Sequence, residues 1–328
     1  MNLVHRILGF VARNGRHVLV LGLVAGAAMP QVALAMRPWI SEMVAALLFF
    51  AALRVGPRQA LGAMGDAGRA AMLAVLFQVG FPLAAIALLA AFGVAAGAMA
   101  TFLVLMLAAS PVSASPHLAV MTGNDPAPAL RQVVIGTALL PLTVVPVFWL
   151  TPAFGGAGAV FGAAGGLLVL IAVAAGAAFL IRGTVLRQPG SEALQAIDAL
   201  SAIALAVVVI GLMSAVGPAL RTDPLGFAGT LAIVCAVNFA IQGAVAIAAR
   251  RAGRPAEAAV TGIVAGNRNV ALFLAVLPAS VVDPILLMIG CYQIPMYLTP
   301  AVMGRFYQVT RARLHEETAR DETDRNTM

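Results

Sequence analysis

The chain has 328 residues, of which 62 % are hydrophobic and 10 % charged, and its mean hydropathy is +0.99. Soluble domains average roughly 45–50 % apolar and about 25 % charged residues, so the composition excludes a soluble globular protein. The formal charge of +7 rests on 20 basic residues, all arginines, which stand at the ends of apolar stretches and not in one patch. They read as membrane-topology signals, and nucleic acid is excluded as a partner.

Residues 1–16 carry His5, Arg6, Arg13 and Arg16 ahead of an apolar run at 18–36. Ala33-Leu34-Ala35 resembles a signal cleavage site, but the run exceeds the roughly 7–15 residues of a signal core and reads as an uncleaved first span. A second span, 39–53, starts at Trp39 after Arg37-Pro38. A third, 70–91, contains Gln78 and Pro82. The fourth segment, 101–121, is apolar at both ends, with Ser110-Pro111-Val112-Ser113-Ala114-Ser115-Pro116-His117 in its middle. The fifth, 132–150, holds Pro141 and Pro146.

A glycine-rich joint at 154–158 follows. Beyond it the spans are 159–181, 196–216, 225–249 with Asn238 and Gln242, 256–277 and 284–303. The ninth, 256–277, is interrupted by Gly266-Asn267-Arg268-Asn269. A charged tail, 308–328, is expected to be a short solvated helix. Cys235 and Cys291 lie in apolar spans without metal or disulfide spacing.

The arginines test this count. With the N-terminus in the cytoplasm and the spans alternating, seventeen arginines fall on the cytoplasmic side, and only Arg37 and Arg221 on the other. Arg268 alone lies within the membrane. The positive-inside rule therefore predicts ten spans with both termini cytoplasmic. Five spans on each side of the joint give two halves, 1–153 and 154–307, of opposite orientation. The broken segments are fourth in each half. Irregular backbone at membrane depth is tolerated only where protein buries it or a watery cavity solvates it, and paired breaks in inverted halves mark transporter binding sites.

Ten spans with polar breaks in the fourth and ninth resemble the bile acid:sodium symporter superfamily. The resemblance extends to about Tyr307. Ser110-Pro111 and Gly123-Asn124-Asp125 match the family's fourth segment and its exit turn, while Val112-Ser113 stands in place of a glycine pair and Ser115-Pro116-His117 in place of Ser-Asn. In the ninth segment Gly266 and Asn269 match. Val264 occupies the position of a family glutamate, and Arg268 that of a glutamine, both sodium ligands. A third-span glutamine also contributes in the family, and Gln78 lies one residue out of register for it. The resemblance implies an all-α transporter of two inverted five-helix repeats with crossing broken helices. Its departures fall on the sodium ligands.

Taken by themselves, the residues at the breaks leave several roles open. Arg268 has three candidate readings: a bidentate contact to an anionic solute, a buried pair with Glu42 or Glu257, or a fixed cation in the place sodium takes in relatives. Snorkelling is a fourth. Asn267, Asn269, Ser110, Ser113 and Ser115 are candidates for solute contact and equally for helix caps. His117 is a candidate for solute or proton binding. Glu42 and Gln78 complete the candidate ion or proton site, and Asn238 and Gln242 read as helix–helix glue. No metalloprotease, nucleophile-elbow or P-loop motif is present, so no enzyme activity and no cofactor are expected. The expectation is an inner-membrane protein that moves a small organic anion by alternating access, secondary-active or facilitative and without sodium coupling. The alternatives are a same-fold exporter of an oxyanion or a neutral metabolite, a sodium-coupled bile-acid-type symporter, and a non-transporting sensor or scaffold.

Overall fold

In a computed structural model, which describes residues 8–11, 14–62 and 67–326 (side chains to 308, apart from Arg16 and Leu19), the apolar runs become helices. His5, Arg6, Arg13 and the tail side chains lie outside the described residues. Seven helices among those residues are long and apolar enough to cross a bilayer: Pro30–Gly62, Ala67–Ala91, Ala127–Leu150, Ala157–Thr184, Ser191–Thr222, Pro224–Arg251 and Ala279–Gln308. This is an all-helical, polytopic membrane architecture.

In chain order, α1 is Gly15–Ala28 and α2 Pro30–Met36; a 3-10 turn at Arg37–Trp39 leads into α3, Ile40–Gly62. The first reversal therefore falls elsewhere than the sequence suggests. Met29 (φ −117°, ψ 68°) leaves the helical region, and Pro30 starts a new helix with its missing N–H at a position that needs none. Residues 36–40 stay helical, so Arg37-Pro38 lies inside a helix and not in a loop between spans. α4 (Ala67–Val75) passes through a π-turn at Leu76–Gly80 into α5 (Phe81–Ala91). The wide turn accommodates Pro82, which cannot donate to the ladder.

α6 (Ala98–Ala108) and α7 (Ser115–Met121) are the two pieces of the fourth segment. α8 (Ala127–Leu150) stays helical through Pro141 and Pro146. α9 is Ala157–Thr184 and α10 Ser191–Leu212, with α11 (Val216–Thr222) one 3-10 turn further on. The Asp223 side chain then caps α12 (Pro224–Arg251) by accepting from the Gly226 amide at 2.9 Å. The ninth segment consists of α13 (Pro255–Gly266) and α14 (Ala271–Leu274). α15 (Ala279–Val282) and α16 (Leu286–Asn326) end the chain.

The helices pack as two groups. α1, α2, α3, α9 and α10 lie against one another, and α4 to α8 pack with α12, α13 and α16. A shared core joins them, with Val44, Leu167 and Val208 from the first group and Phe102, Leu105, Phe148 and Tyr292 from the second, all at most 1 % exposed. Close backbone approach depends on glycine where the broken segments meet their neighbours. A Cβ on Gly136 would stand 2.8 Å from Gln78 Nε2 and 3.0 Å from Pro111 Cδ; one on Gly266 would strike the Gln242 side chain and the Asn238 carbonyl.

Candidate functional site

The two breaks meet. Ala109 ends the α6 helix in an extended conformation (φ −64°, ψ 156°), and Asn267 does the same after α13 (φ −100°, ψ 94°). Between them Pro111 and Arg268 form an isolated antiparallel bridge. The Val112 amide donates to the Asn267 carbonyl at 2.9 Å, and the Asn269 amide donates to the Ser110 carbonyl at 2.7 Å. A proline, two serines and two asparagines thus take two strands of chain out of their helices. The freed backbone groups then pair across the crossing. That pairing is what irregular backbone in an apolar interior requires.

Arg268 closes the ends of both upstream half-helices. Continued helix would send its amide to the Val264 carbonyl, but the amide donates instead to the Tyr292 hydroxyl at 2.7 Å. Its own Nη1 returns to that Val264 carbonyl at 3.2 Å, and Nη2 donates to the Leu107 carbonyl at 3.1 Å. Val264 and Leu107 both lie in the last turn of their helices, where carbonyls have no partner within the helix. Each helix C-terminus carries roughly half a negative elementary charge, so two of them offset about one cation. The Phe77 ring, 5.9 Å from the guanidinium carbon, adds a cation–π contact. Arg268 is 2 % exposed, which removes the snorkelling reading.

The buried-pair reading is also removed. Glu257 Oε1 belongs to Arg69 Nη1 at 2.5 Å, and exposed Glu42 has no ion pair among the described residues. The partners of Arg268 are carbonyls. Its Nε is buried without a hydrogen-bond partner.

A buried polar network braces the break in the ninth segment. Asn238 Nδ2 donates to the Gly266 carbonyl at 2.8 Å, and Gln242 Nε2 donates to Asn238 Oδ1 at 2.6 Å and to Thr299 Oγ1 at 3.0 Å. Thr299 Oγ1 donates to Asn267 Oδ1 at 3.1 Å, Asn267 Nδ2 to the Ile263 carbonyl at 3.0 Å, and the Tyr307 hydroxyl to Gln242 Oε1 at 3.0 Å. The Tyr292 hydroxyl donates to the Gly266 carbonyl. Asn267 therefore caps α13 and is fully committed. Gln78 is committed too: its Nε2 donates to the Gly136 carbonyl at 3.0 Å, and its Oε1 accepts from Thr143 at 2.6 Å.

The structure brings Arg268, Asn267, Asn269 and Ser110 together, with Gln78 behind Gly136. Ser110 Oγ accepts from Thr137 at 3.3 Å. Ser113 and Asn269 are half-buried with no side-chain hydrogen bond, Ser115 is buried with its Oγ unpartnered, and His117 on α7 is exposed. Glu42 stands apart on α3. The sequence reading missed Tyr292, Thr299 and Tyr307 on α16. Their spacings of seven and eight residues put all three on one helix face, which is the signal that marks them. At the crossing the Asn269 and Ser113 side chains are the half-buried ones without a side-chain hydrogen bond, while Arg268 Nε and Ser115 Oγ are buried and unpartnered.

Compared with models of known protein families and with curated protein sequences, the chain matches none.

Proposed function

We propose that the chain is a secondary-active or facilitative transporter of a small organic anion, working by alternating access without sodium coupling. The observation that carries this reading is the crossing itself: two broken segments bridged backbone to backbone around Arg268. In this reading the seven long helices, the two broken segments and the N-terminal α1 make ten spans. Residues 1–153 and 154–307 are inverted five-helix halves in an inner membrane, with both termini cytoplasmic. The reading draws on the resemblance to the bile acid:sodium symporter superfamily carried by Ser110-Pro111, Gly266 and Asn269. Asn269 and Ser113 are the solute contacts, and no enzymatic step is involved.

The donor set does not fit sodium. Hard cations need several oxygen ligands, usually including a carboxylate. Val264 has no side-chain oxygen, and the carbonyls of Val264 and Leu107 are taken by the guanidinium. The two helix ends whose partial negative charge would attract a sodium ion are already offset by the guanidinium, so a second cation there gains no net attraction. A fixed cation makes the mobile one redundant.

One observation favours a second reading. The charge of Arg268 is already offset by two helix ends, so the crossing also suits a neutral polar metabolite. Uptake into proteoliposomes separates the two. Radiolabelled carboxylates should enter with sodium replaced by choline at fixed pH and potential, with less than a twofold change in rate. Loss of about tenfold on removing sodium, about 1.4 kcal/mol, would overturn the uncoupled reading. Entry of polyols or amides but no carboxylate would favour the neutral one.

A further inference from the structure

Away from the crossing, α3 and α9 flank an open apolar groove of about 440 Å³ lined by Ala45, Ala46, Phe49, Val173 and Ala177. Val173 is 65 % exposed there, so the groove opens on the outer surface of the helix bundle, where acyl chains lie. Small alanines on both helices leave the space. Its size falls within the roughly 300–1,000 Å³ of small-molecule sites.

Both helices run from this groove to a cluster of arginines. On α3, Ala45, Phe49 and Gly56 recur at helical spacing along one face. At Gly56 the helix breaks (φ 71°, ψ 162°), and the Arg182 guanidinium of α9 turns its Nε–Nη2 edge toward it. A Cβ on Gly56 would stand 2.6 Å from Arg182 Nε and Nη2. Two turns separate Phe49 from Gly56, about 10 Å. Arg182 Nη1 donates to the Leu186 carbonyl at 2.9 Å, while its Nε is buried without a partner. Arg187 Nε folds back onto the Gly183 carbonyl at 2.7 Å, and Arg58 is exposed two residues beyond the break. Among the described residues, no carboxylate lies within 4 Å of Arg58, Arg182 or Arg187, and the neighbouring Asp198 is held by Arg54 at 2.6 Å.

We infer that this face binds one anionic phospholipid, with an acyl chain in the α3–α9 groove and the phosphate against Arg182, Arg58 and Arg187. An apolar groove ending in arginines that have no carboxylate partner among the described residues complements a molecule that is a hydrocarbon chain ending in a phosphate. Basic sites between membrane helices recognise anionic headgroups in this way. The site lies on the group of helices away from the crossing and does not depend on what the crossing carries.

The test titrates the purified full-length protein in detergent with phosphatidylglycerol and with phosphatidylcholine of the same acyl chains. Native mass spectrometry reads the adducts. Phosphatidylglycerol should bind about tenfold more tightly than phosphatidylcholine. Arg182→Gln should weaken it about fivefold, the effect of one arginine near a headgroup. Ala177→Phe, which fills the groove, should abolish the adduct, and sn-glycerol 3-phosphate alone should not bind. Arg187→Gln, at an exposed position, should weaken binding similarly, so the inference stays testable if Arg182→Gln does not fold. Equal affinity for the two lipids, unchanged binding in both arginine variants, or binding of glycerol phosphate without the chain would overturn it. So would a change of oligomeric state in Ala177→Phe with the lipid adduct intact.

Discussion

At the residue scale, the guanidinium of Arg268 joins the C-terminal ends of α6 and α13, and its replacements follow from that geometry. Arg268→Ala leaves two last-turn carbonyls without donors, and burial of an unmet polar group costs about 1–3 kcal/mol each. A lowered thermal midpoint is therefore expected. Arg268→Lys should fall between the variant and the parent, because one ammonium cannot reach two carbonyls with a planar fork. Arg268→Gln removes the charge but keeps an oxygen among carbonyls, so it should acquire a sodium-dependent rise in thermal midpoint that the parent lacks. A salt-exchange thermal melt, sodium against choline, reads this directly; identical responses in parent and variant would sink the tethered-cation reading. Tyr292→Phe should cost about 1–2 kcal/mol, since its hydroxyl serves both the Gly266 carbonyl and the Arg268 amide.

At the element scale, the breaks are held by backbone pairing and by close approach, and each has its own measurement. The amides of Val112 and Asn269 lie outside any helix, yet they donate across the crossing at 2.9 and 2.7 Å. Their hydrogen exchange should be as slow as that of the flanking half-helices, not loop-like. Gly266→Ala should be poorly tolerated, because its Cβ would strike α12, and overpacking costs about 1–3 kcal/mol. Gly158→Ala, with nothing within 4 Å of its Cβ, is the matched control and should melt like the parent. The positions of both breaks are legible in the sequence. Pro111 and Pro116 cannot complete a helix ladder, and Gly266-Asn267 is a helix stop. The first reversal is less legible: Arg37-Pro38 and Met29-Pro30 are equivalent proline signals, and only the packing of α1 and α3 on α10 selects the second.

At the scale of the whole molecule, the arginine asymmetry makes a topological prediction. Single cysteines at Arg58 and Arg187 should label from the cytoplasmic face, and one at Arg221 from the opposite face, in a chain whose Cys235 and Cys291 are replaced by alanine. Labelling of all three from the same face would refute the ten-span inverted arrangement. The division into two packed groups, with the crossing in one and the α3–α9 groove on the other, also bears on the proposed transport. A change in bilayer lipid should alter transport without altering solute affinity at the crossing.

Composition and charge alone determine that this chain belongs in a membrane, because a hydropathy of +0.99 cannot be reconciled with a water-facing surface. Pattern alone locates the two interruptions, because proline, glycine and asparagine act on the backbone within a residue or two of themselves. The partner of Arg268 was beyond that reach. A search among side chains offers Glu42 and Glu257, whereas the structure supplies the carbonyls of Leu107 and Val264. Every residue carries a carbonyl, so nothing in residue identity marks the two that a fold will leave unpaired at the same point in space. The same holds for Tyr292, Thr299 and Tyr307, which have a shared helix face in the sequence and acquire a role only where α16 meets the break. Local chemistry decides where a helix stops; the tertiary fold decides what its open end faces.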